Sequence, residues 1–158
     1  MEKNKFENIE GIEHLKKRRK TEKRAIRFTI EEEKKENRKI IIAPLDSPYD
    51  LKSLGNDPED VRFIEVKGHL APFPNTLPYC SACLTIQEFN FAKEMKDKFW
   101  LYIIYGVRKN EKIRRIFKIQ NPIENMKWVF MHFNKNKPFY FFFKEVSDMN
   151  DSFKMKNQ

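Results

Sequence analysis

Apolar and polar positions alternate along this chain in short blocks of two periods. From Thr21 to Arg38 the residues are mainly Glu, Lys, Arg, Ile and Ala, without Gly or Pro, and Ile26 and Ile30 lie one turn apart. That spacing predicts a one-sided helix. Glu22 falls on the same stripe, one turn before Ile26, so a carboxylate is expected on the buried side. Ile40 to Ala43 reads as extended chain before Pro44 and Pro48. Tyr49 to Ser53 and Val61 to Lys67 read as two short strands joined by a loop containing Gly55, Asn56, Asp57 and Pro58, the second strand ended by Gly68.

Thr85 with Glu88 three residues on is the pattern of a capping box, and Phe89 and Ala92 mark the inward face of a helix to about Lys96. Phe99 to Tyr105 is β-rich and continuously apolar, as a central strand would be. Another strand is predicted over Arg115 to Ile119, closed by Asn121-Pro122. Trp128 to Phe133 and Phe139 to Val146 form an aromatic hairpin pattern. The expected organisation is a charged extension over 1–20, one domain over 21–146 and a polar tail over 147–158.

Composition narrows the classes. The 158 residues suit one domain, and 40% hydrophobic with 14% aromatic content supplies a core without disulfide staples. A net charge of +9 favours polyanionic partners. No apolar stretch follows Met1, and Phe99 to Tyr105, the longest apolar run, is far short of the ~18 residues of a membrane span. An intracellular protein without a membrane partner is expected, cytoplasmic, or nuclear in a eukaryote.

Cys80 and Cys83 form a C-x-x-C pair, a spacing compatible with redox chemistry or half a zinc site. The pair follows Pro72, Pro74 and Pro78, and within twenty residues only His69 could join it, so two reduced cysteines packed at a loop end is the preferred reading.

The chemistry centres on Glu65-Val66-Lys67. Alternation along a strand puts Glu65 and Lys67 on one face with Phe63, about 7 Å apart, and Ile64 and Val66 on the other. If Tyr49 to Ser53 pairs alongside, Asp50 stands next to Glu65, and two carboxylates so close call for a cation or a proton. Magnesium takes such oxygens, so Asp50, Glu65 and the Val66 carbonyl are candidate ligands of Mg²⁺ or Mn²⁺, with Lys67 offsetting charge on a phosphate. Acid-x-Lys triplets also occur at 32/34, 33/35, 50/52 and 94/96, close to chance for so charged a chain, so an exposed ion pair stays open as the alternative.

The segments Thr21 to Phe28, Tyr49 to Ser53, Arg62 to Gly68, Leu84 to Phe89, Phe99 to Ile104 and Ile119 to Pro122 appear in an order that resembles the NO VEIN C-terminal domain family, which is similar to the PD-(D/E)XK, restriction-endonuclease-like nucleases. The resemblance implies an α/β fold with a mixed central sheet flanked by helices, to which the aromatic C-terminal β-hairpin is added. It also implies Asp50, Glu65 and Lys67 as the catalytic triad and Glu22 as the acid of the first helix. Glu88 is expected to cap its helix rather than to act in catalysis. Pro48 stands where the family tends to have glycine, and the stretch from His69 to Cys83 is longer and richer in proline than usual. A helicase or ATPase partner is implied as well.

Two functions follow as expectations: a Mg²⁺-dependent nuclease acting on DNA in defence, restriction or repair, or a catalytically inactive module of the same fold that binds nucleic acid or protein. Candidate phosphate contacts are Lys16, Lys17, Arg18, Arg19 and Lys20, continuing to Arg24, and Arg108, Lys109, Lys112, Arg114 and Arg115. The run Phe139 to Phe143 exceeds what one strand face can bury, so its outer side is expected to meet a partner, a second copy among the possibilities.

Overall fold

The computed structural model describes residues 18–132 and 138–148. The first element, helix α1 (Lys20–Lys35), leads into strands β1 (Lys39–Ile42), β2 (Leu51–Leu54) and β3 (Val61–His69). Strand β4 (Tyr79–Thr85) runs directly into helix α2 (Ile86–Met95), and a single 3₁₀ turn connects this to β5 (Phe99–Tyr105). Strand β6 (Arg115–Gln120), the short helix α3 (Pro122–Asn125), β7 (Lys127–Met131) and β8 (Phe139–Glu145) complete the domain.

The strands form two sheets. The larger is mixed, in the order β1-β2-β3-β5-β6, and the smaller is antiparallel, in the order β4-β8-β7. Strands β3 and β5 run parallel, Glu65 level with Leu101, while β1-β2, β2-β3 and β5-β6 are antiparallel. The connection between the parallel pair passes through β4 and α2, which puts the smaller sheet and α2 over one face of the larger.

Strand periodicity assigns the two faces. Leu51, Ile64, Val66, Tyr102 and Ile104 pack under α1 with Ala25 and Ile26. Phe99, Leu101, Ile103, Phe117 and Ile119 point the other way and pack with Phe89 and Ala92 of α2 and with Cys80, Ala82, Leu84 and Phe142 of the smaller sheet. Phe89 stacks on Tyr140 at 3.6 Å between ring centroids, which ties α2 to β8. Trp128, Val129 and Phe130 of β7 are exposed.

The aromatic hairpin is present as β7 and β8, but β8 also pairs along its other edge with β4, from Tyr79↔Glu145 to Thr85↔Phe139. The cysteines therefore lie within a strand and not at a loop end. Three positions apart, they fall on opposite sides of β4, Cys80 buried and Cys83 exposed, so they share neither a metal nor a bridge. His69 stacks on Tyr105 and bonds the Ser81 carbonyl through Nε2 at 3.2 Å.

Two further expectations need correction. Gly68 does not end its strand, since β3 continues to His69. A Cβ at Gly68 would lie 2.8 Å from the Ala25 Cβ, so the glycine admits α1 close to the sheet. The second concerns the buried carboxylate of α1, which is Glu33 and not Glu22, because the stripe runs Ala25, Ile26, Thr29, Glu33. Glu33 is fully buried and accepts from Tyr102 Oη at 2.5 Å, Ser53 Oγ at 2.6 Å and Arg62 Nη1 at 3.1 Å, with Arg38 Nε at 3.3 Å. The expectation of a central strand holds for β5, which pairs with β3 on one side and β6 on the other and is buried along nearly its whole length. Among the described residues no helix is long and apolar enough to cross a membrane.

Candidate functional site

The last β2-β3 pair is Leu51↔Ile64, and one step further Asp50 comes level with Glu65. Asp50 still belongs to the ladder through its backbone: its N–H donates to Ile64 O at 2.9 Å and its carbonyl accepts from the Ala43 N–H at 2.9 Å. Its side chain takes over where backbone pairing stops, Oδ2 accepting the Val66 N–H at 2.8 Å. The preceding Tyr49 is anchored by Phe63 and Phe91, ring centroids 5.0 and 5.4 Å away. Gln87 Nε2 donates to Asp46 O at 3.2 Å, fixing the loop before Asp50 to the start of α2.

Glu65 and Lys67 project from β3 on the same side, as their spacing requires, with Lys67 Nζ 2.6 Å from Glu65 Oε1. Lys67 Nζ also reaches Glu88 Oε2 at 3.1 Å. Glu88 completes the capping box of α2, its Oε2 accepting the Thr85 N–H at 2.8 Å while its own N–H donates to Thr85 Oγ1 at 3.2 Å. The cap and the lysine contact are thus made by one carboxylate. Cys83, on β4 of the smaller sheet, is close enough for its thiol to feel the charges of Lys67 and Glu88.

On the other side of Asp50 stands Arg18. Its Nη1 is ion-paired with Asp50 Oδ1 and lies 2.5 Å from Glu22 Oε1. Four carboxylates (Glu22, Asp50, Glu65, Glu88) therefore share two cations (Arg18, Lys67). Burial raises the Asp50 carboxyl despite Arg18 and the Val66 N–H. Glu65 is pushed well above the carboxylate range, by burial first, with the charges of Asp50 and Glu88 adding to it against Lys67. Lys67 is itself raised, since the fields of Glu65 and Glu88 outweigh its desolvation.

The structure brings Asp50, Glu65 and Lys67 together where β2 ends beside the middle of β3, and adds Glu22 through Arg18. Val66 contributes its N–H to Asp50. Among the described residues no three acidic, histidine or cysteine side chains converge as a metal-binding group. The basic candidates divide. Arg18 is turned inward and committed to Asp50, so it is not an outward phosphate contact. Arg19 and Lys20 are exposed at the start of α1, and Lys16 and Lys17 lie outside the described residues. Arg114 sits over the Phe28 ring at 3.3 Å, and Arg115 over Phe117 and Phe73 at 4.6 and 4.9 Å. Sequence reasoning missed the inward role of Arg18, although its spacing four residues before Glu22 is that of a helical ion pair.

A mixed α/β domain with an acidic cluster and a lysine gathered beside its middle strand is the class that fold and site define. The family model of Protein NO VEIN, C-terminal, matches residues 21–116, and the chain belongs to that family. No curated protein and no solved structure matches it.

Proposed function

We propose that the domain is a Mg²⁺-dependent phosphodiester hydrolase of restriction-endonuclease-like architecture, acting on DNA. The observation that carries this reading is the convergence of Asp50, Glu65 and Lys67 beside a second acid contact to the lysine. Clustered, desolvated carboxylates destabilise a fold unless a cation compensates them, and their raised pKa values register that deficit.

The donors suit magnesium, which keeps most of its waters and takes one or two carboxylates from protein. Asp50 and Glu65 would hold it; when bound, the ion supplies Lewis-acid polarisation of a phosphate oxygen and lowers the pKa of a coordinated water. Lys67 stays protonated between Glu65 and Glu88, so it serves as a hydrogen-bond donor and positive charge rather than as a base. At the scissile phosphate that charge opposes the negative charge gathering on the non-bridging oxygens. The Val66 N–H holds Asp50 in one orientation, which limits the reorganisation needed on binding.

One observation favours the second reading, a non-catalytic binding module: Arg18 already compensates Asp50. Nicking of supercoiled plasmid with and without Mg²⁺, comparing the native chain with Asp50→Ala and Lys67→Ala, separates the two. The nuclease reading expects cleavage only with metal and only by the native chain. Equal activity in all three, or none in any, supports the binding module.

A further inference from the structure

Arg18 and Arg38 use their guanidinium groups differently. Arg38 engages all three nitrogens: Nε donates to Ser53 Oγ at 2.8 Å, Nη1 to Asp60 Oδ2 at 2.5 Å, and Nη2 to Asp60 Oδ1 and O at 2.9 and 3.0 Å. That is a structural arginine, with its planar fork satisfied. Arg18 reaches both Glu22 and Asp50 through the one nitrogen Nη1, and its Nε is buried with no hydrogen-bond partner among the described residues.

The location of Arg18 is unfavourable as well. It precedes the first residue of α1 by two positions, at the positive end of the helix dipole, where a cation is disfavoured and an anion preferred. An arginine four residues before a glutamate is also the weaker order for a helical ion pair. What keeps Arg18 in place is the Asp50 carboxylate together with Glu22, and its side chain is only 6% exposed. Because it lies outside the helix, its departure breaks no hydrogen bond within α1.

We propose that Arg18 is a displaceable resident cation of the acidic cluster: it closes Asp50 in the metal-free protein, and a divalent ion and Arg18 occupy that carboxylate in alternation. This rests on the metal-binding reading of the site and adds to it a built-in competitor. The Arg18 side chain is the latch, and its departure exposes Asp50 to the ion while releasing a guanidinium toward the surface. Metal affinity is thereby set by Arg18 as well as by the ligands themselves.

Titration calorimetry with Mg²⁺ and with Mn²⁺ on the native chain, Arg18→Gln, Arg18→Lys and Asp50→Asn tests this. The expected result is binding at least about tenfold tighter in Arg18→Gln than in the native chain, as removal of a competing charge at a partly buried site requires. Arg18→Lys, which keeps the charge, should bind more weakly than Arg18→Gln, and Asp50→Asn should lose the site. Equal or weaker binding by Arg18→Gln overturns the latch and leaves the metal reading standing; absence of binding in the native chain and Arg18→Gln alike overturns both. Since Arg18→Gln leaves Asp50 unpaired and can weaken the fold, a second measurement uses the native chain. The NMR signal of the Arg18 Nε–H should shift and gain solvent exchange as Mg²⁺ is added, and a signal unchanged at saturating ion contradicts the proposal.

Discussion

Val66 donates its backbone N–H to the Asp50 carboxylate at 2.8 Å, so the strand that bears Glu65 and Lys67 also holds the acid of the neighbouring strand. One hydrogen bond thus sets the spacing of three side chains that are remote in sequence, and it forms where the β2-β3 ladder runs out. The geometry of the cluster and the pairing of the sheet are therefore linked.

Glu33 anchors the opposite half of α1. Replacing it with Ala leaves Arg38, Arg62 and the Tyr102 hydroxyl without their shared acceptor in a dry setting. Urea unfolding should show a loss of about 3–5 kcal/mol, the range for breaking a buried ionic group from one side. Glu33→Gln, which keeps an amide oxygen, should lose less.

Gly68 and Ala25 meet across the α1-β3 contact. Gly68→Ala should cost about 1–3 kcal/mol, because the added methyl forces the helix away from the sheet. Combining it with Ala25→Gly should recover part of that loss beyond the roughly 1 kcal/mol helix penalty of the glycine. Additive single-variant effects in a chemical-denaturation cycle would contradict the contact.

Cys80 supplies a pH dependence. Burial pushes its thiol up to about 11 from an ordinary value of 9.0. Between those limits the unfolded chain has released the proton and the native one has kept it, so native stability must fall as pH rises from about 9 to 11. The decline attributable to this group is about 2–3 kcal/mol by linkage. Thermal melts against pH should show a shallower alkaline decline in Cys80→Ala than in the native chain, and parallel profiles would contradict it.

DNA affinity should fall steeply with salt, since a basic domain displaces condensed counterions from phosphate. Arg19→Gln and Lys20→Gln should each flatten the slope of log affinity against log salt by about one unit if those exposed residues touch phosphate. Fluorescence anisotropy measures that slope, and an unchanged one removes these residues from the interface.

Much of this was legible in the residues themselves. The period-two pattern of Phe63 to Lys67 assigns Glu65 and Lys67 to one face, and the Thr85-x-x-Glu88 spacing identifies the start of α2; both depend on neighbours a few positions apart. Strand β4 was hidden because Pro72, Pro74 and Pro78 precede it and its partner β8 lies more than fifty residues away. Its alternation was nonetheless present, with Cys80, Ala82 and Leu84 buried and Tyr79, Cys83 and Thr85 exposed. Glu33 reads as a solvated charge until the fold brings Arg38, Arg62 and Tyr102 to it, a set that no local spacing reveals. Arg18 reads in the sequence as part of a basic run, yet it turns inward to Asp50 while Arg19 and Lys20 are exposed.

The most direct test of the central claim is the rate at which supercoiled plasmid is cut at saturating Mg²⁺ by Glu65→Gln relative to the native chain, with DNA binding measured in parallel. The native chain should cleave in a way that chelation abolishes, and Glu65→Gln should cleave at least about 100-fold more slowly while retaining affinity for DNA. Undiminished cleavage by Glu65→Gln, or no metal-dependent cleavage by the native chain, would contradict that claim.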